Sequence, residues 1–132
     1  MSGERAASVL IVEDEMLLLD LVTAELEDAG LRVIQAADGD AALTVLESDA
    51  PVDILFTDIR LPGRLDGWEL AEAARTLRPD LRVIYATGFS SSAPRTVPGS
   101  LFFAKPYRPS VIVAAVQKLA LPQAAAPSGA MP

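Results

Sequence analysis

The stretch DILFTDIRLPG, residues 53–63, is a short apolar run that ends on an acid and then breaks at a Pro-Gly pair. Its apolar residues are consecutive instead of alternating with polar ones. A strand of that kind is covered on both faces, as in a parallel sheet flanked by helices. With the Asp53–Thr57 run, four others read as strands: Val9–Val12, Arg32–Ala36, Leu81–Ala86 and Leu101–Ala104. The question the stretch raises is why a buried strand should lead into a carboxylate, Asp58. A turn cap is the plain answer for an isolated Asp before Pro-Gly.

Helical spacing fills the gaps between the strands. Leu19, Val22, Leu26 and Ala29 recur every three or four residues, and Gly30 follows as a stop. Ala42, Val45 and Leu46 mark a second helix after Asp38-Gly39. Leu70, Ala73, Ala74 and Leu77 mark a third, opened by Asp66 with Glu69 three residues on, the spacing of a capping box. Ile112, Ala115, Val116 and Leu119 mark a last one, with Pro109 and Ser110 at its start. Between the fourth and fifth strands, Phe89 to Ser100 carries Pro94, Pro98 and Gly99. Proline inside a helix costs about 3 kcal/mol, so a loop or one short turn is expected there. The alternation of strands and helices predicts one α/β domain, a doubly wound five-stranded parallel sheet with helices on both faces. Residues 1–7 and 122–132 are expected to be disordered tails around a domain spanning 8–121.

Composition narrows the function classes. Eighteen acids against eleven bases give a net charge of −7, which argues against nucleic acid as a partner, since phosphate backbones need a basic face. There is no cysteine and no histidine, so thiolate chemistry, zinc sites of the usual kind and an internal phosphohistidine are excluded. No apolar run reaches the roughly 18 residues of a membrane span, and no signal-peptide core opens the chain. A cytoplasmic protein without membrane insertion is the expectation.

In open parallel sheets the chemistry lies at the carboxyl ends of the strands. The first strand ends in Glu13-Asp14, the third in Asp58, the fourth in Thr87-Gly88 and the fifth in Lys105-Pro106. Three carboxylates on one rim repel: two like charges at 4 Å cost on the order of 4 kcal/mol at an effective dielectric of 20. Lys105 supplies one compensating charge and a divalent cation two. An all-oxygen set suits Mg²⁺. An acidic Mg²⁺ site with a lysine and a hydroxyl binds a phosphoryl group, and a carboxylate there can attack it to form an aspartyl-phosphate. Asp58, between the acid pair and the lysine, is the candidate nucleophile. With no histidine in the chain, the phosphoryl donor must be another protein or a small molecule.

These four motifs, in order, resemble the receiver domain of two-component response regulators: VLIVEDE its acidic first strand, DILFTDIRLPG its phosphoacceptor strand, ATG its hydroxyl-bearing strand and FFAKPY its lysine–proline strand. The resemblance covers about Ser8 to Leu121 and implies a CheY-like (flavodoxin-like) strand order 2-1-3-4-5, with the fourth of the family's helices short or irregular here. It implies Asp58 as phosphoacceptor and Glu13, Asp14, Asp58 and the Arg60 backbone carbonyl around Mg²⁺ (Mn²⁺ as a substitute), with Asp14 a direct ligand and Glu13 acting through water. Thr87 and Lys105 would contact the phosphoryl group, and Phe102 stands at the family's switch-aromatic position. VIYATGFS with FFAKPY is also similar to the single-domain FATGUY subgroup, through Tyr85 and Phe89, although Arg82 and Val83 replace that subgroup's Pro and Phe.

The function so implied is a phosphorylation switch. A histidine kinase or histidine phosphotransfer protein donates to Asp58, the domain promotes its own phosphorylation and dephosphorylation, and the output is a protein–protein contact with an unnamed downstream protein. A single-domain monomer or weak dimer without a DNA-binding output is expected. The alternative is a phosphorylation-independent adaptor or a phosphate sink on the same scaffold. Trp68 reads as packing, and at least one of Phe102 and Phe103, which alternate on opposite faces, as core.

Overall fold

The computed structural model describes residues 6–88 and 95–120. In chain order the elements are β1 (Ser8–Val12), α1 (Met16–Asp28), β2 (Arg32–Ala36), α2 (Gly39–Glu47), β3 (Ile54–Asp58), α3 (Gly67–Leu77), β4 (Arg82–Thr87), β5 (Leu101–Ala104) and α4 (Pro109–Ala120). The five strands form one sheet in the order β2-β1-β3-β4-β5, every pair parallel. This is the doubly wound parallel sheet expected from the alternation, in the strand order that the receiver resemblance implies. The third and fourth strands run one residue later than the sequence pattern set them, so Asp58 and Thr87 close their strands instead of following them.

The continuous apolar runs feed two cores, one on each face of the sheet. Leu10 and Val12 of β1 point to the face that also buries Leu55, Val83 and Tyr85 under α2 and α3. Val9 and Ile11 point to the other, with Ile54, Phe56 and Ile84 under α1 and α4. Period-two alternation along each strand thus sorts neighbouring residues into opposite cores. Each fully buried Leu, Ile or Val stabilises by roughly 1.5–3 kcal/mol relative to exposure. The helices contribute Leu19, Val22 and Leu26 from α1, Leu70, Ala71 and Ala74 from α3, and Ile112, Ala115 and Val116 from α4.

Local signals set the ends. Asp66 accepts from the Glu69 amide at 2.8 Å while the Glu69 carboxylate accepts from the Asp66 amide at 3.0 Å, the reciprocal capping box the spacing predicts. Asp38 caps α2 by accepting from the Ala41 amide. Gly30 ends α1 with φ +89°, a conformation that only glycine adopts without strain. Arg78 closes the far end of α2 by donating to the Leu46 and Ser48 carbonyls at 3.2 and 2.9 Å. Two expected core positions fall outside: Leu77 is 45 % exposed, and Ala29 is exposed as the residue that ends α1. Both sit in a final turn, where the helix has already left the sheet.

The expectation for Phe89 to Ser100 is covered only in part. Residues 89–94, including Phe89 and Pro94, lie outside the described residues, as do the terminal stretches 1–5 and 121–132. Arg95 to Ser100 forms no helix and turns at Pro98-Gly99. Among the described residues no helix is long and apolar enough to cross a membrane.

Candidate functional site

The parallel register brings the strand ends together. Asp58 pairs with Ala86, one residue short of Thr87, and Thr87 pairs with Ala104, one residue short of Lys105. The ladder continues past two strand ends: the Glu13 amide donates to the Ala36 carbonyl at 3.1 Å, and the Lys105 amide to the Thr87 carbonyl at 2.9 Å. Glu13 and Lys105 therefore inherit the sheet's rigidity without belonging to a strand. Glu13, Asp58 and Thr87 are all buried, at 5, 8 and 4 % exposure, whereas Asp14 is exposed.

Lys105 holds the centre. Its Nζ donates to Asp58 Oδ2 at 2.8 Å and to Glu13 Oε1 at 2.9 Å. The remaining carboxylate oxygens are also engaged. Glu13 Oε2 accepts from the Glu15 amide at 3.0 Å, and Asp58 Oδ1 from the Arg60 amide at 3.3 Å. That last bond is the local turn interaction an Asp before Pro-Gly was expected to make. The turn bond occupies one oxygen of Asp58 and the Lys105 ammonium the other.

Electrostatics reflect the crowding. Burial pushes the Glu13 carboxyl above its usual value, the Lys105 and Glu15 hydrogen bonds pull it back in part, and the Asp58 charge adds to the rise. Burial alone would lower the Lys105 ammonium, but the hydrogen bonds and charges of Asp58 and Glu13 outweigh it and hold the lysine firmly protonated. Burial, with the Glu13 charge adding, pushes the Tyr107 phenol up to about 12. Tyr107 packs edge-on against Phe56 at 5.8 Å.

A cavity of about 290 Å³ opens beside the lysine, lined by Asp58, Arg60, Thr87, Gly88 and Lys105. Oxygens of Glu13, Asp14 and Asp58 lie within 4.8 Å of one another. Three carboxylates with no nitrogen or sulfur donor are a set for a hard cation such as Mg²⁺, so the residues present fit that ion.

Of the residues singled out from sequence, the fold gathers Glu13, Asp14, Asp58, Arg60, Thr87 and Lys105 at one rim. Phe102 lies outside the cavity: it is 44 % exposed, in register with Tyr85, and stacked on Trp68 at 6.1 Å and 20°. Trp68, only 6 % exposed, packs on Tyr85 at 5.0 Å, and the Tyr85 hydroxyl accepts from the Val97 amide at 3.0 Å. Trp68 is thus packing, as read from the sequence. Phe103, half-buried, joins the opposite core. The Glu15 amide and Tyr107 carried no role in the sequence reading. Tyr107 was within reach of it, two residues after Lys105, but the amide of Glu15 leaves no signature in side-chain identity.

The sequence matches the response regulator receiver domain family over residues 9–117. It is 35 % identical over 85 residues to the response regulator receiver protein CpdR of Brucella abortus, an overlap of 64 % of this chain and 69 % of CpdR. Other relatives are longer: the stretch shared with the nitrogen assimilation regulatory protein NtrX of Azorhizobium caulinodans, 38 % identical over 84 residues, is 63 % of this chain but 18 % of NtrX. Among solved structures, a response regulator receiver protein from Sinorhizobium medicae superposes with a TM-score of 0.81 at 34 % identity, covering 86 % of this chain and 94 % of the other. TrrA from Thermotoga maritima, solved in complex with Mg²⁺-BeF, superposes with a TM-score of 0.76 at 26 % identity, covering 86 and 98 %.

Proposed function

This chain belongs to the response regulator receiver domain family, and from that premise we propose that Asp58 accepts a phosphoryl group from a histidine kinase or histidine phosphotransfer protein. The observation that supports the reading best is the placement of Asp58. Its carboxylate is buried at a strand end, its Oδ2 is 2.8 Å from the Lys105 ammonium, and it faces a cavity lined by Thr87 and the Arg60 residue.

In the proposed step a carboxylate oxygen of Asp58 bonds to phosphorus as the phosphorus–nitrogen bond of the donor's phosphoimidazole breaks. The electron pair stays with the leaving imidazole. Asp58 is held by the Arg60 amide and by Lys105, so little motion is needed to align it. Lys105 passes from the carboxylate to an oxygen of the arriving group, where its charge opposes the charge that develops. The Thr87 hydroxyl, at the edge of the same cavity, donates to another oxygen. Glu13, Asp14, Asp58 and the Arg60 carbonyl would hold Mg²⁺, which when bound supplies two further positive charges beside the phosphoryl oxygens. Attack of water on the acyl phosphate then returns the carboxylate and releases inorganic phosphate. Phosphorylation at Asp58 adds negative charge and acceptor oxygens at the rim, and this shifts the balance between conformations that a downstream protein distinguishes.

The test is incubation with acetyl phosphate and Mg²⁺, read as intact mass. The expected result is one added phosphoryl group that disappears with EDTA and in Asp58→Ala. A mass unchanged under all conditions, or an adduct that survives Asp58→Ala, would remove the proposal.

A further inference from the structure

Gly67 opens α3 one residue after the capping Asp66, and it lies against the backbone of the candidate phosphoacceptor. A Cβ built on Gly67 would stand 2.2 Å from the Asp58 carbonyl oxygen, 2.7 Å from the Ile59 Cα and 3.0 Å from the Asp58 carbonyl carbon. The neighbours are backbone, so no side-chain rotation makes room. The Gly67 amide meanwhile donates to the Ile59 carbonyl at 2.7 Å, which pulls the helix start onto the loop that leaves β3.

The peptide that Gly67 touches is fixed on its other sides as well. The Thr57 hydroxyl, fully buried, donates to the same Asp58 carbonyl at 2.8 Å, and the Ile59 amide donates to the Ala86 carbonyl at 3.2 Å. The Asp58 carbonyl is therefore set between a hydroxyl and a bare α-carbon. The same short loop carries Arg60, whose amide holds Asp58 Oδ1.

We propose that Gly67 is a positioning residue for Asp58: the absent side chain allows the first turn of α3 to seat the Asp58–Arg60 backbone where the carboxylate meets Lys105. The proposal rests on Asp58 as phosphoacceptor. Real Cβ contacts are essentially never shorter than 3.0 Å, so an alanine at 67 must displace the Asp58 carbonyl or the helix start by at least about 0.8 Å. A misplacement of about 1 Å can cost on the order of 10²-fold in rate.

The experiment compares wild type, Gly67→Ala and Leu70→Ala for the rate of phosphorylation by acetyl phosphate and for Mg²⁺ affinity, followed through the fluorescence of Trp68, the sole tryptophan. Leu70 is a fully buried residue of the same helix, so Leu70→Ala loosens the packing of α3 and leaves the bare α-carbon of Gly67 in place. With all three folded, Gly67→Ala is expected to be phosphorylated about 10²-fold more slowly and to bind Mg²⁺ about tenfold more weakly, with Leu70→Ala near wild type in both. Equal rates for Gly67→Ala and wild type, or equal losses in Gly67→Ala and Leu70→Ala, would overturn the proposal. Should Gly67→Ala fail to fold, Thr57→Val releases the same carbonyl from the other side with little change in volume. It is expected to slow phosphorylation severalfold, and wild-type kinetics would overturn the proposal. A wild type that takes up no phosphoryl group on Asp58 would overturn the underlying reading together with this one, an outcome distinct from a responsive wild type with a responsive Gly67→Ala.

Discussion

Replacing Lys105 by methionine keeps the stem and removes the charge that Glu13 and Asp58 share. Their side chains are 6 and 9 % exposed and that of Lys105 is 19 %, so this is a buried ionic cluster and not a surface pair. Removing one partner of such a cluster leaves uncompensated buried charge and costs about 3 kcal/mol, the lower end for buried pairs, because one side faces the open cavity. For a domain of this size that is a fall in Tm of about 10 °C. The pH dependence carries the sharper signature. Glu13 titrates above its ordinary value in the folded protein, so the stability linked to its proton is present below about 4.5 and is lost as pH rises through the folded value. Lys105→Met removes the hydrogen bond that most opposes this rise, and the window extends upward. The lysine's own contribution is constant at these pH values, since its folded pKa is raised and its stabilisation fades only in alkali. The variant's deficit in EDTA should therefore be smaller at pH 5.0 than at pH 7.5, by about 1 kcal/mol if Glu13 moves by one further unit. Millimolar Mg²⁺ at pH 7.5 should recover part of the loss by binding the folded state. Urea unfolding at both pH values, with EDTA and with Mg²⁺, measures all of this. A deficit that is the same at pH 5.0 and 7.5 and indifferent to Mg²⁺ would refute the assignment of Lys105 as the counter-charge of the acid cluster.

Tyr85→Phe removes the acceptor of the buried Val97 amide, so it should cost about 1–3 kcal/mol in denaturation and accelerate exchange of that amide in particular. Asp66→Ala breaks the capping box of α3 and should lower stability by about 1 kcal/mol in urea. Glu72→Ala removes a two-bond pair with Arg95, at 2.7 and 3.3 Å, yet both side chains are about half exposed and screened by solvent, so the urea midpoint should not move measurably. A phosphoryl donor that is itself a protein must cover the rim near Asp14, where α1 presents Met16, Leu17 and Leu21 at 55, 85 and 50 % exposure. Leu17→Asp should slow transfer from a cognate histidine kinase about tenfold, of the order expected for losing an interface anchor, and leave phosphorylation by acetyl phosphate unchanged.

How far the sequence carried depends on what each feature leaves in side-chain identity. The sheet was legible because consecutive apolar residues such as Ile54, Leu55 and Phe56 have no other economical use than a strand covered on both faces. The capping box at Asp66 and Glu69 was legible because two side chains at fixed spacing do the work. The rim was legible because a strand must end somewhere, and four parallel strands ending in polar residues can meet only along one edge. The one-residue lag of β3 and β4 was not legible, since Asp58 and Thr87 pair through backbone groups that any residue offers. Nor was the shared grip of Lys105 on two acids, which depends on Glu13 and Lys105 standing 92 residues apart in the chain and one hydrogen bond apart in space. The place of Phe102 escaped for a related reason. Its alternation with Phe103 fixes only that they face opposite sides, and whether the sheet edge at β5 is covered is decided by Trp68 on another element.

The charge arrangement makes the site poised rather than merely stable. In the free domain one ammonium serves two buried carboxylates, so neither acid is fully compensated and the cluster has capacity for more positive charge. In the proposed reaction a phosphoryl group on Asp58 would draw Lys105 toward its oxygens, and Glu13 would lose part of its partner at the moment the site becomes more negative. The backbone that carries Asp58 cannot yield to relieve this, because the Thr57 hydroxyl, the Ala86 carbonyl and the bare Gly67 α-carbon fix it. Relief in that reaction would come from the rim side chains, Lys105 first among them, since its ammonium is shared between the two acids. If Asp58 takes up a phosphoryl group as proposed, its fixed backbone and single shared counter-charge would pass the change of charge on to the neighbouring side chains instead of absorbing it at Asp58.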